Sequence, residues 1–298
     1  MFNSLYITGS LAWDVIMNFP GEFKDHFHPE KLHNINISFA VNTLERRVGG
    51  TATDITYSAA HVLNLFKFKV PVSIFGAIGK DGDEHLKLLR KLGVNVNNVL
   101  KDKKLYSATG SVITDKTDNQ IWGFHYGASE NAKNCTLPVA NKTVRPLLVI
   151  SANHPKGFLH FQSEAIKKHI PYLYDFGMSL TFISNEDLHR GVLNSWGVVG
   201  NDYEISMLCK RLGLTVTDIL KENKIVITTL GAEGVWYQYK NEKVQLTSFK
   251  TNLIDPTGAG DAWRGAFCAG LTMGYEVKHA LALGNAVHKA ITTFVLAG

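Results

Sequence analysis

Cysteine is scarce: Cys135, Cys209 and Cys268 are the only three in 298 residues. The number is odd and no C-x-x-C pair exists. A disulfide framework or a zinc knuckle is therefore excluded as the basis of the fold, and a reducing, cytoplasmic setting is expected. Long apolar runs are missing too. The most apolar stretch, Ala280 to Ala297, is broken by Asn285, His288 and Lys289, so no spanning helix is expected. Met1 to Ser10 has no basic residues ahead of its apolar ones, so no secretory signal is expected, and the sequons at Asn36, Asn134 and Asn141 read as chance matches. Neither charge sign dominates: 31 Lys+Arg stand against 26 Asp+Glu, a net charge of +5. That small surplus suits an anionic small ligand or a solvated surface and demands neither nucleic acid nor membrane. No G-x-x-x-x-G-K-[ST] occurs, which excludes a P-loop, and no G-x-G-x-x-G follows the first strand, which disfavours dinucleotide binding. His26 and His28 form a His-x-His pair without a third ligand in view, which does not make a metal site.

What is present is apolar material, 45% of residues against 19% charged, enough for a sizeable core in one large or two smaller domains. Strand and helix patterns alternate along the chain. Strands are expected at Leu5–Thr8, Val70–Phe75, Leu147–Ser151, Tyr172–Phe176, Trp196–Val199 and Ile225–Thr229. Helices are expected at about Thr53–Phe66 and Asp83–Leu92, near Ser163–His169, Glu186–Leu193 and Asp202–Leu212, and from about Ala259 and Glu276. This rhythm predicts an α/β fold, a mostly parallel sheet between two helical layers. Three segments break it. Asn34–Val41 alternates through Ile35, Ile37, Phe39 and Val41, and Ser107–Thr114 and Gln120–His125 read as a hairpin. They predict a small separate sheet, a lid made from about 12–48 and 105–127 over a single domain spanning 1–298. Val235–Tyr239 and Lys243–Phe249 form a late hairpin.

The sharpest chemical feature is Asp255-Pro-Thr-Gly-Ala-Gly-Asp261, which follows a strand pattern and opens a helix. Gly258 and Gly260 let backbone N–H groups approach an anion, and the helix start adds partial positive charge. An acid at that anion site, Asp261, is out of place if the loop only binds phosphate. It makes sense as a general base that takes a proton from an attacking hydroxyl while the loop holds the transferring phosphoryl group. The bare spacing fits a Gly-rich turn with a first-turn acid equally well.

This heptapeptide resembles the C-terminal signature of the ribokinase-like (PfkB) carbohydrate and nucleoside kinases. Other segments resemble the family in the same order: Gly9-Ser-Leu-Ala-Trp-Asp14, Gly49-Gly50, Gly76-Ala-Ile-Gly79-Lys-Asp81, Asn201-Asp-Tyr-Glu204 and Thr229-Leu-Gly231-Ala-Glu-Gly234. Tyr174-Asp175-Phe-Gly177 and the run from Thr114 to Gly127 look most like the bacterial and archaeal adenosine-kinase-like members. The resemblance implies a ribokinase-like three-layer α/β/α domain with a β-sheet lid. It implies an ATP- and Mg²⁺-dependent kinase acting on a primary hydroxyl, most of all the 5′-OH of adenosine. A ribose or fructose kinase and a non-catalytic binding relative are the alternatives.

By that resemblance Asp261 is the base, and Gly258, Ala259 and Gly260 form the anion hole. Asp14, Gly49, Gly50, Asp54 and Phe124 hold the acceptor. Thr229, Gly231, Gly234 and Arg264 border the nucleotide, and Asn201 and Glu204 organise Mg²⁺ through water. Activation by a monovalent cation such as K⁺ is a further implication, and both a monomer and a homodimer joined through the lid are compatible with it. Several of these residues have plain readings beside the implied ones. Asn201 and Glu204 suit a capping box, Phe124 suits the core of the small sheet, and Arg264 suits an exposed helix face. One position departs from the family: Asp54 stands where Asn is usual, and a carboxylate adds charge and cannot donate a hydrogen bond.

Overall fold

The computed structural model describes residues 1–27, 36–139, 143–221, 225–239, 242–248 and 258–293. Among these, a nine-stranded sheet forms the body. Its central strand is β1 (Ser4–Thr8), flanked by β4 (Val72–Ile78) and β8 (Pro146–Ile150), both parallel to it. Beyond β4 lies β5 (Val99–Lys101). Beyond β8 come β9 (Tyr172–Asp175), β10 (Gly197–Asn201) and β11 (Ile225–Thr229), all parallel. The antiparallel hairpin β12 (Val235–Tyr239) and β13 (Glu242–Leu246) closes that edge.

Helices cover both faces, so β1, β4, β8 and β9 are buried at every residue and mostly apolar. Leu5 and Ile7 of β1, Leu147 and Val149 of β8 and Leu173 of β9 point to one core. Against it pack α1 (Thr51–Leu65), α2 (Asp83–Lys91), α7 (Ala259–Thr272) and α8 (Val277–Thr293). Tyr6, Leu148, Ile150, Tyr172 and Tyr174 point to the other, under α3 (Pro155–Lys167), α4 (Asn185–Asn194), α5 (Asp202–Leu212) and α6 (Val216–Leu220). None of the described helices is long and apolar enough to cross a membrane.

A second sheet of four strands stands apart, in the order β3 (Thr43–Gly49), β2 (Ala12–Asn18), β6 (Ala108–Thr114), β7 (Gln120–His125). The expected hairpin is there as β6 and β7. The expected strand at Asn34–Val41 is not. Residues 28–35, with His28 of the His-x-His pair, lie outside the described residues, and 36–42 carry no strand. The period-two burial there has another cause. Phe39 packs into an aromatic cluster with Phe19, Phe23, His26 and Phe27, with ring centroids 4.7 to 6.3 Å from its own. The pairing strand is the polar segment Thr43–Gly49, an edge strand whose charged residues discourage further pairing. A second correction concerns α3, which begins at Pro155 rather than near Ser163. His154 Nδ1 accepts from the Lys156 N–H and Pro155 takes the first helical position, where its missing donor costs nothing.

Helices α1 and α7 meet unusually closely. A Cβ on Gly265 would lie 2.5 Å from the Ile55 carbonyl oxygen and 2.9 Å from the Ala59 nitrogen, both backbone atoms. Ser58 Oγ donates to the Ala262 carbonyl across the same contact, 3.0 Å. Gly265→Ala should therefore push the helices apart and cost about 1–3 kcal/mol. Urea unfolding of the two proteins checks this, and Gly123→Ala, where a Cβ meets nothing within 4 Å, is the control.

Candidate active site

The parallel strands all end on one side, and ligand crevices of α/β sheets open there. After β1 the chain turns at Gly9-Ser10 and enters β2, which carries Asp14. Ser10 is tied to the start of α1 and to the end of β8. Its Oγ accepts from the Thr51 N–H at 3.1 Å, and its own N–H donates to the Ala152 carbonyl at 3.0 Å. Gly50 caps α1 with φ +93°, and a Cβ there would sit 2.6 Å from the Ser10 oxygen. Gly49 is needed for a different reason. A Cβ on it would fall 2.1 Å from Asp14 Oδ2, so the missing side chain is the space that the carboxylate occupies.

Two clefts open at this edge. The smaller, about 180 Å³, is lined by Asp14, Gly50 and Asp54 on one side and by Phe124, Tyr126 and Met178 among its other walls, with Gly258 and Asp261 at its floor. The larger, about 450 Å³, is lined by Asn201, Thr229, Gly231 and Gly234, and also by Ala259 and Gly260. The N-terminus of α7 is the partition between them. Gly258, its cap, has φ +72° and no side-chain cap bond, and a Cβ there would meet nothing within 4 Å. The first turn carries N–H groups with no intrahelical carbonyl to receive them. Such a turn, aimed at open space, is a ready anion site. Asp255, Pro256 and Thr257 of the signature lie outside the described residues.

The three carboxylates of the smaller cleft are all raised from their ordinary values. Asp14 is pushed up to about 6 by burial, opposed by the charge of Arg47. Asp261 is pushed up to about 7 by burial, with Arg264 opposing and Asp175, Asp14 and Glu204 adding to it. Asp54 is raised well above the carboxylate range by burial and then by the charges of Asp261 and Asp14.

Most of the expected residues meet here. Asp14, Gly50, Asp54, Phe124, Gly258 and Asp261 line the smaller cleft, with Gly49 packed behind Asp14. Phe124 is not sheet core: it is half-buried on the cleft wall, edge-on to Tyr126 at 5.3 Å. Asn201 and Glu204 form the capping box of α5, each side chain accepting from the other's backbone N–H at 2.8 Å. Only one carboxylate oxygen of Glu204 is used in that box, and Asn201 still faces the larger cleft.

Arg264 is a correction. It lines neither cleft and is not exposed. Its guanidinium turns inward, Nη2 lying 2.8 Å from Asp175 Oδ1, with the two side chains only 10% and 4% exposed. The helix face one turn after Asp261 is the one packed into the core, and Nη1 turns back beside Gly260, where a Cβ would lie 3.0 Å from it. Asp175 is further held by Ser151 Oγ, which donates to it at 2.6 Å.

Sequence reasoning missed Tyr126, Asn153 and Met178 in the smaller cleft and Tyr203, Trp263, Asn285 and His288 in the larger one. A signal existed for two of them. Tyr126 is two residues beyond Phe124, hence on the same face, and Asn153 closely follows the end of β8 at the ligand edge.

Comparison with known proteins gives the family and the fold. Residues 23–293 match the pfkB family carbohydrate kinase model, and the chain belongs to that family. A nucleoside kinase of Methanothermobacter thermautotrophicus is 25% identical over 278 residues, 92% of this chain and 84% of the relative. The structure of Burkholderia thailandensis nucleoside kinase in complex with inosine superposes with a TM-score of 0.83 at 27% identity, over 98% of this chain and 92% of that one. The same enzyme in complex with ADP-inosine gives 0.79 at 28% identity, over 97% and 89%. The chain is a nucleoside or carbohydrate kinase with the ribokinase fold.

Removing Arg264 would leave Asp175 buried and without its counter-charge. Arg264→Met should cost about 3–5 kcal/mol of stability, read from the urea midpoint, while Arg264→Lys should recover part of it.

Proposed function

We propose that this kinase transfers the γ-phosphoryl group of ATP to the 5′-OH of a nucleoside, with adenosine the first candidate and inosine the second. One observation carries the choice of a nucleoside over a bare sugar. The smaller cleft sets carboxylates that suit sugar hydroxyls against an apolar wall of Phe124, Tyr126 and Met178 that suits a base. ATP would occupy the larger cleft, with its terminal phosphate at the start of α7.

In this reading Asp14 accepts hydrogen bonds from the sugar hydroxyls. Asp261 lines the same cleft, in the first turn of α7, whose residues border both clefts. It takes the proton of the attacking hydroxyl, and the N–H groups of Ala259, Gly260 and Asp261 hold the charge spread over the transferring phosphoryl oxygens. A carboxyl held near neutral pH is a better proton acceptor than an ordinary aspartate and is still ionised in a useful fraction of molecules.

Asn201 lines the larger cleft; Glu204 is not among its lining residues, and one of its carboxylate oxygens stands outside the capping box. Glu204 and Asn201 would hold a hydrated Mg²⁺, which supplies charge neutralisation of the phosphates. The small sheet, which carries Asp14 and Phe124, would act as the lid that excludes water. The monovalent cation implied by the family resemblance is read by exchanging K⁺ for Na⁺.

The test is ADP release from ATP and Mg²⁺ with adenosine, inosine, cytidine, ribose, fructose or no acceptor, wild type beside Asp261→Asn. Nucleoside-dependent turnover is expected, with kcat lower in the variant by about 10²–10⁴-fold and the acceptor KM changed far less. Wild-type kcat should rise as pH climbs, because Asp261, pushed up to about 7 by burial in the ligand-free protein, accepts protons only when ionised. Turnover with a free sugar alone would replace the nucleoside reading with a sugar kinase.

A further inference from the structure

Asp54 is the residue where this chain departs from its family, and its surroundings are unusual. Three carboxylates, Asp14, Asp54 and Asp261, line a cleft of about 180 Å³, and among the described residues lining it none is a lysine, arginine or histidine. Like charges this confined do not all stay ionised. Which one yields is decided by the charges behind the walls.

Asp14 on β2 has Arg47 directly opposite on β3, a cross-strand pair in register. Asp261 has Arg264 one turn further along α7, its charge opposing the effect of burial on Asp261. Asp54 has no such partner. The residues one turn either side of it on α1 are Thr51 and Tyr57 or Ser58. The elements packed against it bring Asp14 from β2 and Asp261 from α7, both anionic, and Arg47 and Arg264 stand behind those two acids. Tyr126 on the opposite wall is neutral. Among the described residues no group donates a hydrogen bond to the Asp54 carboxyl. Only the N-terminus of α1 favours a charge on it, and that effect is modest beside two nearby carboxylates.

We propose that Asp54 recognises the acceptor as the neutral acid, donating its carboxyl hydrogen to an acceptor oxygen, so that acceptor binding requires one proton on the enzyme. In that state the carboxyl is both donor and acceptor, as an asparagine amide is, with nearly the same shape. The departure from Asn thus keeps the hydrogen-bond pattern but makes it conditional on pH. Asp14 and Asp261 remain the ionised acceptors for hydroxyl hydrogens. The direction of the Asp54 shift agrees.

The binding arm of the test rests on the nucleoside reading; a second arm does not. In the first, adenosine and inosine are titrated by calorimetry from pH 5 to 9, with wild type and Asp54→Asn. Wild-type affinity should fall by up to about tenfold per pH unit above the Asp54 midpoint, and the variant should lack that fall; a loss toward pH 5, where Asp14 and Asp261 take up protons, is common to both proteins. Wild-type affinity with no fall toward pH 9, or an equal fall in the variant, overturns the proposal.

In the second arm, urea midpoints of the ligand-free proteins are compared over the same range. A carboxyl raised in the folded state stabilises it at low pH. That contribution is lost as pH rises from the ordinary carboxylate range through the folded midpoint. Asp54→Asn should therefore gain stability relative to wild type as pH rises, and a constant difference overturns the proposal. If neither nucleoside binds at any pH, the nucleoside reading fails and the second arm alone decides the state of Asp54. If Asp54→Asn does not fold, Asp54→Ser takes its place in both arms.

Discussion

The contact between α1 and α7 is the constraint on which the site depends. Both helices begin at the ligand edge, one capped by Gly50 and the other by Gly258. Each carries an acid in or just beyond its first turn, and Gly265 lets the two backbones approach until side chains are excluded between them. The separation of Asp54 and Asp261 is therefore set by backbone packing and not by flexible side chains. A site built this way holds its charges together against their repulsion because relieving them would mean opening the core.

That cost is met with cations placed behind the acids. Arg264 is buried with Asp175, which Ser151 also holds. The arrangement keeps positive charge beneath the anion-binding turn without exposing a side chain that would block it. Arg47, on β3 and paired with Glu45, lends its charge to Asp14 from the exposed side of the sheet. The cleft surface is thus left to carboxylates, small residues and an apolar wall, a division that suits an acceptor with hydroxyls at one end and a flat base at the other.

Much of this was legible in the sequence. The parallel strands are buried on both faces and so read as short apolar runs. The Gly258–Asp261 turn was legible because a phosphate-binding helix start needs small residues in sequence. The strand β3 was illegible for the opposite reason. Thr43–Gly49 is an exposed charged edge with no apolar alternation, while the alternation a few residues earlier serves an aromatic cluster. Arg264 was misplaced because spacing along a helix gives a face, and only packing tells which face is inside. Asn285 and His288 reach the larger cleft from α8, whose proximity is a matter of tertiary arrangement, whereas Tyr203 lies within the Asn201–Glu204 motif itself. The capping box at Asn201 was read correctly from four residues, since it is a local device.

The strand order also has a consequence for how the chain assembles. β1 lies between β4 and β8, so its second edge stays open until residues 146–150 have been made. β2 pairs with β6, Ala12 facing Ala108, across nearly a third of the chain. An emerging chain therefore carries its two earliest strands half-paired through much of synthesis, with apolar β1 the more exposed to wrong partners. Late closure of this kind gives slow folding, and it makes the first half of the molecule the part that a chaperone would hold.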